Sequence, residues 1–155
     1  MIVIEAVRTG CWNAVTGQRR VSLVEECAEE LRRGDASVVG YVPVREEDLA
    51  RVRIEPLSPR DRAAFRLAYP DADRLDAGER DLLAWASTCT ETFEICSCDK
   101  AAVQAANAMG WLDQVVSLEV VAASVGARTT TRFKRQFTES VMVAWRTSLR
   151  MGSTL

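Results

Sequence analysis

The stretch LDAGERDLLAWASTCTETFEICSCDKAAVQAANAMGWLDQVVSLE, residues 75–119, decides the fold. Asp76-Ala77-Gly78-Glu79 is a capping-box-like helix opening with acids in the first turn, and Leu82, Leu83, Trp85 and Ala86 supply an apolar face behind it. FEICSC, residues 93–98, reads as a buried strand that runs straight into Asp99. Residues 100–109 form an Ala-rich helix that stops at Gly110. Residues 115–118 are a second short strand, and 118–125 a short helix ended by Gly126. Helices alternating with short apolar strands predict an α/β fold, with a parallel sheet between helical layers.

Outward from this block the pattern continues. SLVEECAEELRR, residues 22–33, places Leu23, Val24, Cys27, Ala28 and Leu31 at helical spacing, with Gly34 as a stop. Residues 38–44 are β-prone or loop, and Glu46, Glu47 and Asp48 open a short acidic helix. VRIEPL, residues 52–57, alternates as a short strand or extended connector. Ser58-Pro59 then caps a helix that lasts until Pro70. Residues 129–151 read as a final amphipathic helix with Phe133, Phe137, Val141, Val143 and Trp145 among its apolar positions.

Composition bounds the chemistry. At 155 residues and 48% hydrophobic content the chain suits a single domain with a sizeable core. No segment offers the roughly 20 apolar residues that span a bilayer, and no signal-peptide order opens the chain, so a cytoplasmic protein is expected. There is no histidine, which removes Ser-His and Cys-His mechanisms and leaves zinc only a four-thiolate site. The five cysteines lack a regular framework and are expected as reduced, buried thiols. Chemistry in this chain must therefore rest on carboxylates or a bound metal. Net charge is −2, but residues 128–155 concentrate Arg128, Arg132, Lys134, Arg135, Arg146 and Arg150 against Glu139 alone. No Gly-rich loop follows a strand, which argues against a nucleotide-binding α/β domain.

Functional groups in a parallel α/β sheet gather where strands end and helices begin. Asp99 lies at such a junction; it reads either as a site acid or as a helix-opening acid that complements the dipole. Glu79 has the same two readings, since it is also placed to close a capping box with Asp76. Glu29 and Glu30 are adjacent on one helix and cannot share a direction; the spacing puts Glu30 nearer the apolar stripe and Glu29 further out.

Taken together, these blocks resemble the PIN-domain family of metal-dependent ribonucleases. In that family an L-x-x-G-E helix is followed by a strand, then Ser/Thr-x-Asp at the next helix start, and a small-residue helix closing on Gly; residues 75–119 follow this order. GQRRVSLVEECAEELRRGD, residues 17–35, looks like the family's second strand and the helix with its Glu-Leu pair. The likeness implies one PIN-like domain over residues 1–155, with a three-layer α/β/α architecture around a central parallel sheet. It also implies a hydrolase of RNA phosphodiester bonds that uses Mg²⁺ or Mn²⁺. Glu30, Glu79 and Asp99 would be its catalytic and metal-binding acids, supported by Ser97, Asp76 and Glu5, with Glu29 nearby. Arg132 and Arg135 would hold RNA, their other reading being a solvated helix face. Members of the family also serve as toxins, so an antitoxin protein and a homodimer are further expected partners.

One departure stands out. The family opens with a hydrophobic strand ending in Asp, whereas MIVIEAVRTGCWN has no Asp before Asp35. Either residues 1–6 replace that strand and Glu5 its acid, or the strand is missing and residues 2–7 belong to the first helix. Glu5 lies only 25 positions before Glu30, too few for the intervening elements, which favours the second reading and an internal-methionine start. Loss of a central strand would expose two strand edges. It would also favour the alternative function of a degenerate, non-catalytic RNA- or protein-binding module.

Overall fold

The computed structural model describes residues 2–34, 37 and 39–155. It is a mixed α/β fold, mostly helical, with two small parallel sheets. Chain order is α1 (Ile2–Thr9), α2 (Trp12–Gln18), β1 (Ser22–Val24), α3 (Glu25–Arg32), α4 (Glu46–Leu49), β2 (Arg53–Glu55), α5 (Pro59–Ala68) and α6 (Ala77–Ala86). β3 (Ile95–Cys96), α7 (Lys100–Ala108), β4 (Val115–Val116), α8 (Leu118–Ser124) and α9 (Glu139–Arg150) follow.

Helices begin where a short polar side chain accepts an otherwise orphaned backbone N–H. Ser58 accepts from the Asp61 amide at 3.2 Å, Asp76 from Glu79 at 2.8 Å, Asp99 from Ala102 at 3.0 Å and Ser117 from Val120 at 3.2 Å. Gly110 and Gly126 take positive φ just past α7 and α8, the conformation that lets a helix stop without a Cβ clash. One core layer joins Phe65 of α5, Leu83 and Ala84 of α6, Val103 and Ala106 of α7, and Met142 of α9. Alanines at 102, 105 and 106 on the inner face of α7 let neighbouring backbones come close. α5 is locked to α6 by Arg62, whose guanidinium grips the buried Asp81 carboxylate at 2.7–3.1 Å.

The expected central sheet is divided. β1 pairs in parallel with β2 (Leu23 opposite Ile54), and β3 with β4 (Ile95 opposite Val115), but among the described residues no ladder joins the two pairs. The approaches to β1 and β3 are nonetheless tied by ion pairs, Arg19 to Glu94 at 3.8 Å and Arg20 to Glu91. Residues 2–6 are helical, so they do not replace a first strand; Met1 lies outside the described residues, as do Asp35 and Val38 of the 17–35 and 38–44 segments.

Two further readings need correction. Residues 22–24 are strand rather than the first turn of a helix, because Ser22, Leu23 and Val24 find a partner in β2, which periodicity within one segment does not reveal. The final helix starts at Glu139, not at 129. Thr129, Thr130 and Thr131 are β-branched and poor helix formers. The backbone of this segment is instead taken up by α1. The Thr130 amide donates to the Thr9 carbonyl at 2.9 Å, and the Lys134 amide to Glu5 Oε1 at 2.7 Å. Arg8 Nη2 donates to the Arg132 carbonyl at 2.7 Å. Val143, expected in the apolar stripe, is 49% exposed.

Glu5 organises that contact. Only 2% exposed, it receives both Nε and Nη2 of Arg8, at 2.7 and 2.6 Å. Burial opposes its ionisation, yet the Arg8 hydrogen bonds and the Lys134 amide together hold its pKa below the ordinary 4.5. The stability from a depressed acid is present above the unfolded-state pKa and lost as pH falls through the folded one. Glu5→Ala should therefore cost about 2–3 kcal/mol in urea unfolding at pH 7. Glu5→Gln should lack the part of the wild-type acid destabilisation that appears below about pH 4.5.

Candidate functional site

Three elements deliver carboxylates to one place. β1 runs into α3, which carries Glu30; β3 runs through Ser97 and Cys98 into Asp99, the N-cap of α7; and α6 begins between them with Asp76, Gly78 and Glu79. Gly78 is buried, and a Cβ built on it would stand 3.0 Å from Cys27 Sγ and 3.1 Å from Glu30 Oε1. The bare glycine thus lets α3 lay Glu30 against the opening of α6. Glu30 is exposed while Glu29 is half-buried and paired with Arg33, the reverse of what helical spacing suggests. The stripe on α3 is short, with only Ala28 fully buried, so proximity to it does not bury Glu30.

The electrostatics confirm that these acids sense one another. Glu79 is pushed up to about 7, first by burial and then by the charges of Asp99, Asp76 and Glu30. Glu30 is also raised, by burial and by Asp76 and Glu26. Asp76 caps α6 through the Glu79 amide, but the reciprocal bond from the Glu79 side chain is not formed, so the Glu79 carboxylate is not used as a cap. Asp99 Oδ1 accepts from the Ala102 amide, and its own amide donates to Ser97 Oγ at 3.2 Å. Ser97 therefore orients Asp99 through the backbone.

Two thiols border the acids. Burial, followed by Glu30 and Asp76, pushes Cys27 up to about 11; burial, Asp99 and Glu79 raise Cys98 to about 11. Both are pushed towards the protonated thiol at neutral pH, which makes them weak nucleophiles. All five cysteines are free. Neither thiol's closeness to the acids is legible from residue spacing, because it follows from long-range packing.

The remaining candidates lie elsewhere. Glu5 is held by Arg8 and the Lys134 amide, a structural duty that leaves it no part among these acids. Arg132 and Arg135 are exposed on the segment that packs on α1, the carbonyl of Arg132 bound to Arg8. Among the described residues no group of three or more His, Cys, Asp and Glu side chains stands at the spacing that holds a metal. The donor set itself is all oxygen, the type hard divalent ions select. Glu30, exposed, and Glu79, half-exposed, can rotate, whereas Asp99 is fixed by its cap. Among the described residues no helix is long and apolar enough to cross a membrane.

A raised acid has the opposite linkage to Glu5. Its folded form favours the proton, so the cost of ionising Glu79 grows as pH rises from 4.5 to about 7 and then levels off. Melting temperature should fall across that interval, and Glu79→Gln should flatten the fall. Millimolar Mg²⁺ or Mn²⁺ should raise the melting temperature more at pH 8 than at pH 5, and less in Glu79→Gln; equal shifts at both pH values would argue against a cation among these acids.

No protein-family model, curated protein or solved structure matches the chain.

Proposed function

We propose that this chain is a divalent-metal-dependent endoribonuclease of PIN-like architecture. The observation that carries the reading is the meeting of Glu30, Glu79 and Asp99, distant in sequence, around the opening of α6, where Glu79 is raised to about 7. Acids crowded this way repel one another when ionised and gain from a cation that offsets the repulsion. In this reading the two sheets are halves of one three-layer arrangement, and the break between β1 and β3 falls where the family's first, central strand would run.

Glu30, Glu79 and Asp99 would hold Mg²⁺ or Mn²⁺, directly or through water, after rotation of the two glutamates. When bound, the ion supplies a more acidic water and neutralises charge on the phosphoryl oxygens. Asp99 keeps a fixed direction through its cap and Ser97. Glu79, raised by burial and by its acidic neighbours, would ionise as the cation arrives and so couple metal binding to release of a proton. Exposed Arg132 and Arg135 would meet the RNA backbone. The role of a toxin restrained by an antitoxin protein, and assembly as a homodimer, belong to the same proposal.

One observation favours a second reading, the non-catalytic RNA- or protein-binding module. Asp76 and Asp99 both serve as helix caps, and the acids as they stand form no ligand shell among the described residues.

Cleavage of single-stranded RNA with and without Mg²⁺ separates the two. Asn caps a helix about as well as Asp, so Asp99→Asn removes the charge and keeps α7. It should cut the rate on the order of 10²-fold, as should Glu79→Gln; Ser97→Ala should cost about tenfold. Cleavage that survives a chelator or Asp99→Asn would reject the proposed metal site, and binding of RNA without any cleavage would favour the non-catalytic module.

A further inference from the structure

Beside the acids, α1, α3 and the 39–44 segment enclose an open groove of about 260 Å³. Ile4, Leu31, Val44 and the ring of Tyr41 form apolar walls, and among the described residues Glu30 is the carboxylate that lines it. At ~30 Å³ per water the space holds roughly eight waters, which suits one flat heterocycle rather than a peptide segment or an acyl chain.

Tyr41 is 39% exposed, and its ring rests on the bare Cα of Gly34: a Cβ there would stand 2.8 Å from Tyr41 Cε2. The aromatic ring is thereby held where it lines the groove together with Glu30. A carboxylate in an apolar slot accepts N–H groups, the complement of a ring with a π face and an amino edge.

We propose that this groove seats one nucleobase of a single-stranded RNA, stacked on Tyr41, so that the adjoining phosphate is presented to the neighbouring acids. The proposal rests on the ribonuclease reading and adds a residue that positions substrate. Stacking tolerates any base and contributes a factor of roughly 5 to 100 in affinity per base.

The test uses the full chain with Ca²⁺ in place of Mg²⁺ and a set of single-stranded oligoribonucleotides, each with 2-aminopurine at one position. Wild type should quench the probe at one position and bind more weakly when that position is abasic. Tyr41→Ala should lose the quench and roughly tenfold in affinity; Tyr41→Phe and Tyr41→Trp should keep both. Gly34→Ala, which displaces the ring without touching an acid, should lose part of the quench. Melting temperatures of the variants check folding, and Tyr41→Phe distinguishes a lost ring from a lost fold. If wild type binds and cleaves RNA and Tyr41→Ala binds it as well, the base seat is wrong and the nuclease reading stands. If wild type neither binds nor cleaves RNA, both fall.

Discussion

The arrangement depends on the absence of a side chain at position 78. A glycine inside a helix lowers its intrinsic stability by about 1 kcal/mol relative to alanine, and Gly78 has no unusual backbone angle to justify it. What it provides is close approach: Cys27 and the Glu30 carboxylate occupy the volume a methyl would need. Through that contact α3 is drawn onto α6, and Glu30 of α3 lies beside the start of a helix some fifty residues later.

Charge is distributed unevenly around this joint. Near α6 burial and neighbouring carboxylates raise both Glu30 and Glu79, although Arg33 acts on Glu30 in the opposite sense. Elsewhere carboxylates are matched: Asp81 by Arg62, Glu5 by Arg8, Glu139 by Arg146 at 3.2 Å. Two acids raised together in one place invite a functional explanation. The same contrast separates Glu5 from the rest: it is buried, charged and fully engaged.

The legible parts of the fold were those set by neighbours in sequence. Ser58, Asp76 and Asp99 announce α5, α6 and α7, because a cap needs only the three residues that follow it, whereas Ser117, which caps α8, was read as strand. Gly110 and Gly126 mark their ends for an equally local reason. What stayed hidden was fixed at long range. β1 exists because β2 lies beside it, thirty residues on; the irregular 128–138 segment is dictated by Glu5 and Arg8 of α1; and Asp81, within an expected apolar face, is buried only because Arg62 reaches it from another helix. Among the acids, the helix-start positions of Glu79 and Asp99 were readable from spacing. The exposure of Glu30 and the closeness of the two thiols were not, since both follow from how α3 sits on Gly78.

The cap at Asp99 has a consequence for selectivity. One of its oxygens is tied to the Ala102 amide, so this acid is a rigid arm, whereas Glu30 and Glu79 sit on side chains with three rotatable bonds and solvent beside them. Small ions such as Mg²⁺ demand a near-ideal octahedron, while larger ones accept irregular shells. Under the proposed function, a cradle with one stiff arm and two hinged ones would adapt to the radius of its guest and discriminate weakly among divalent ions, leaving the choice of metal to what the surroundings supply.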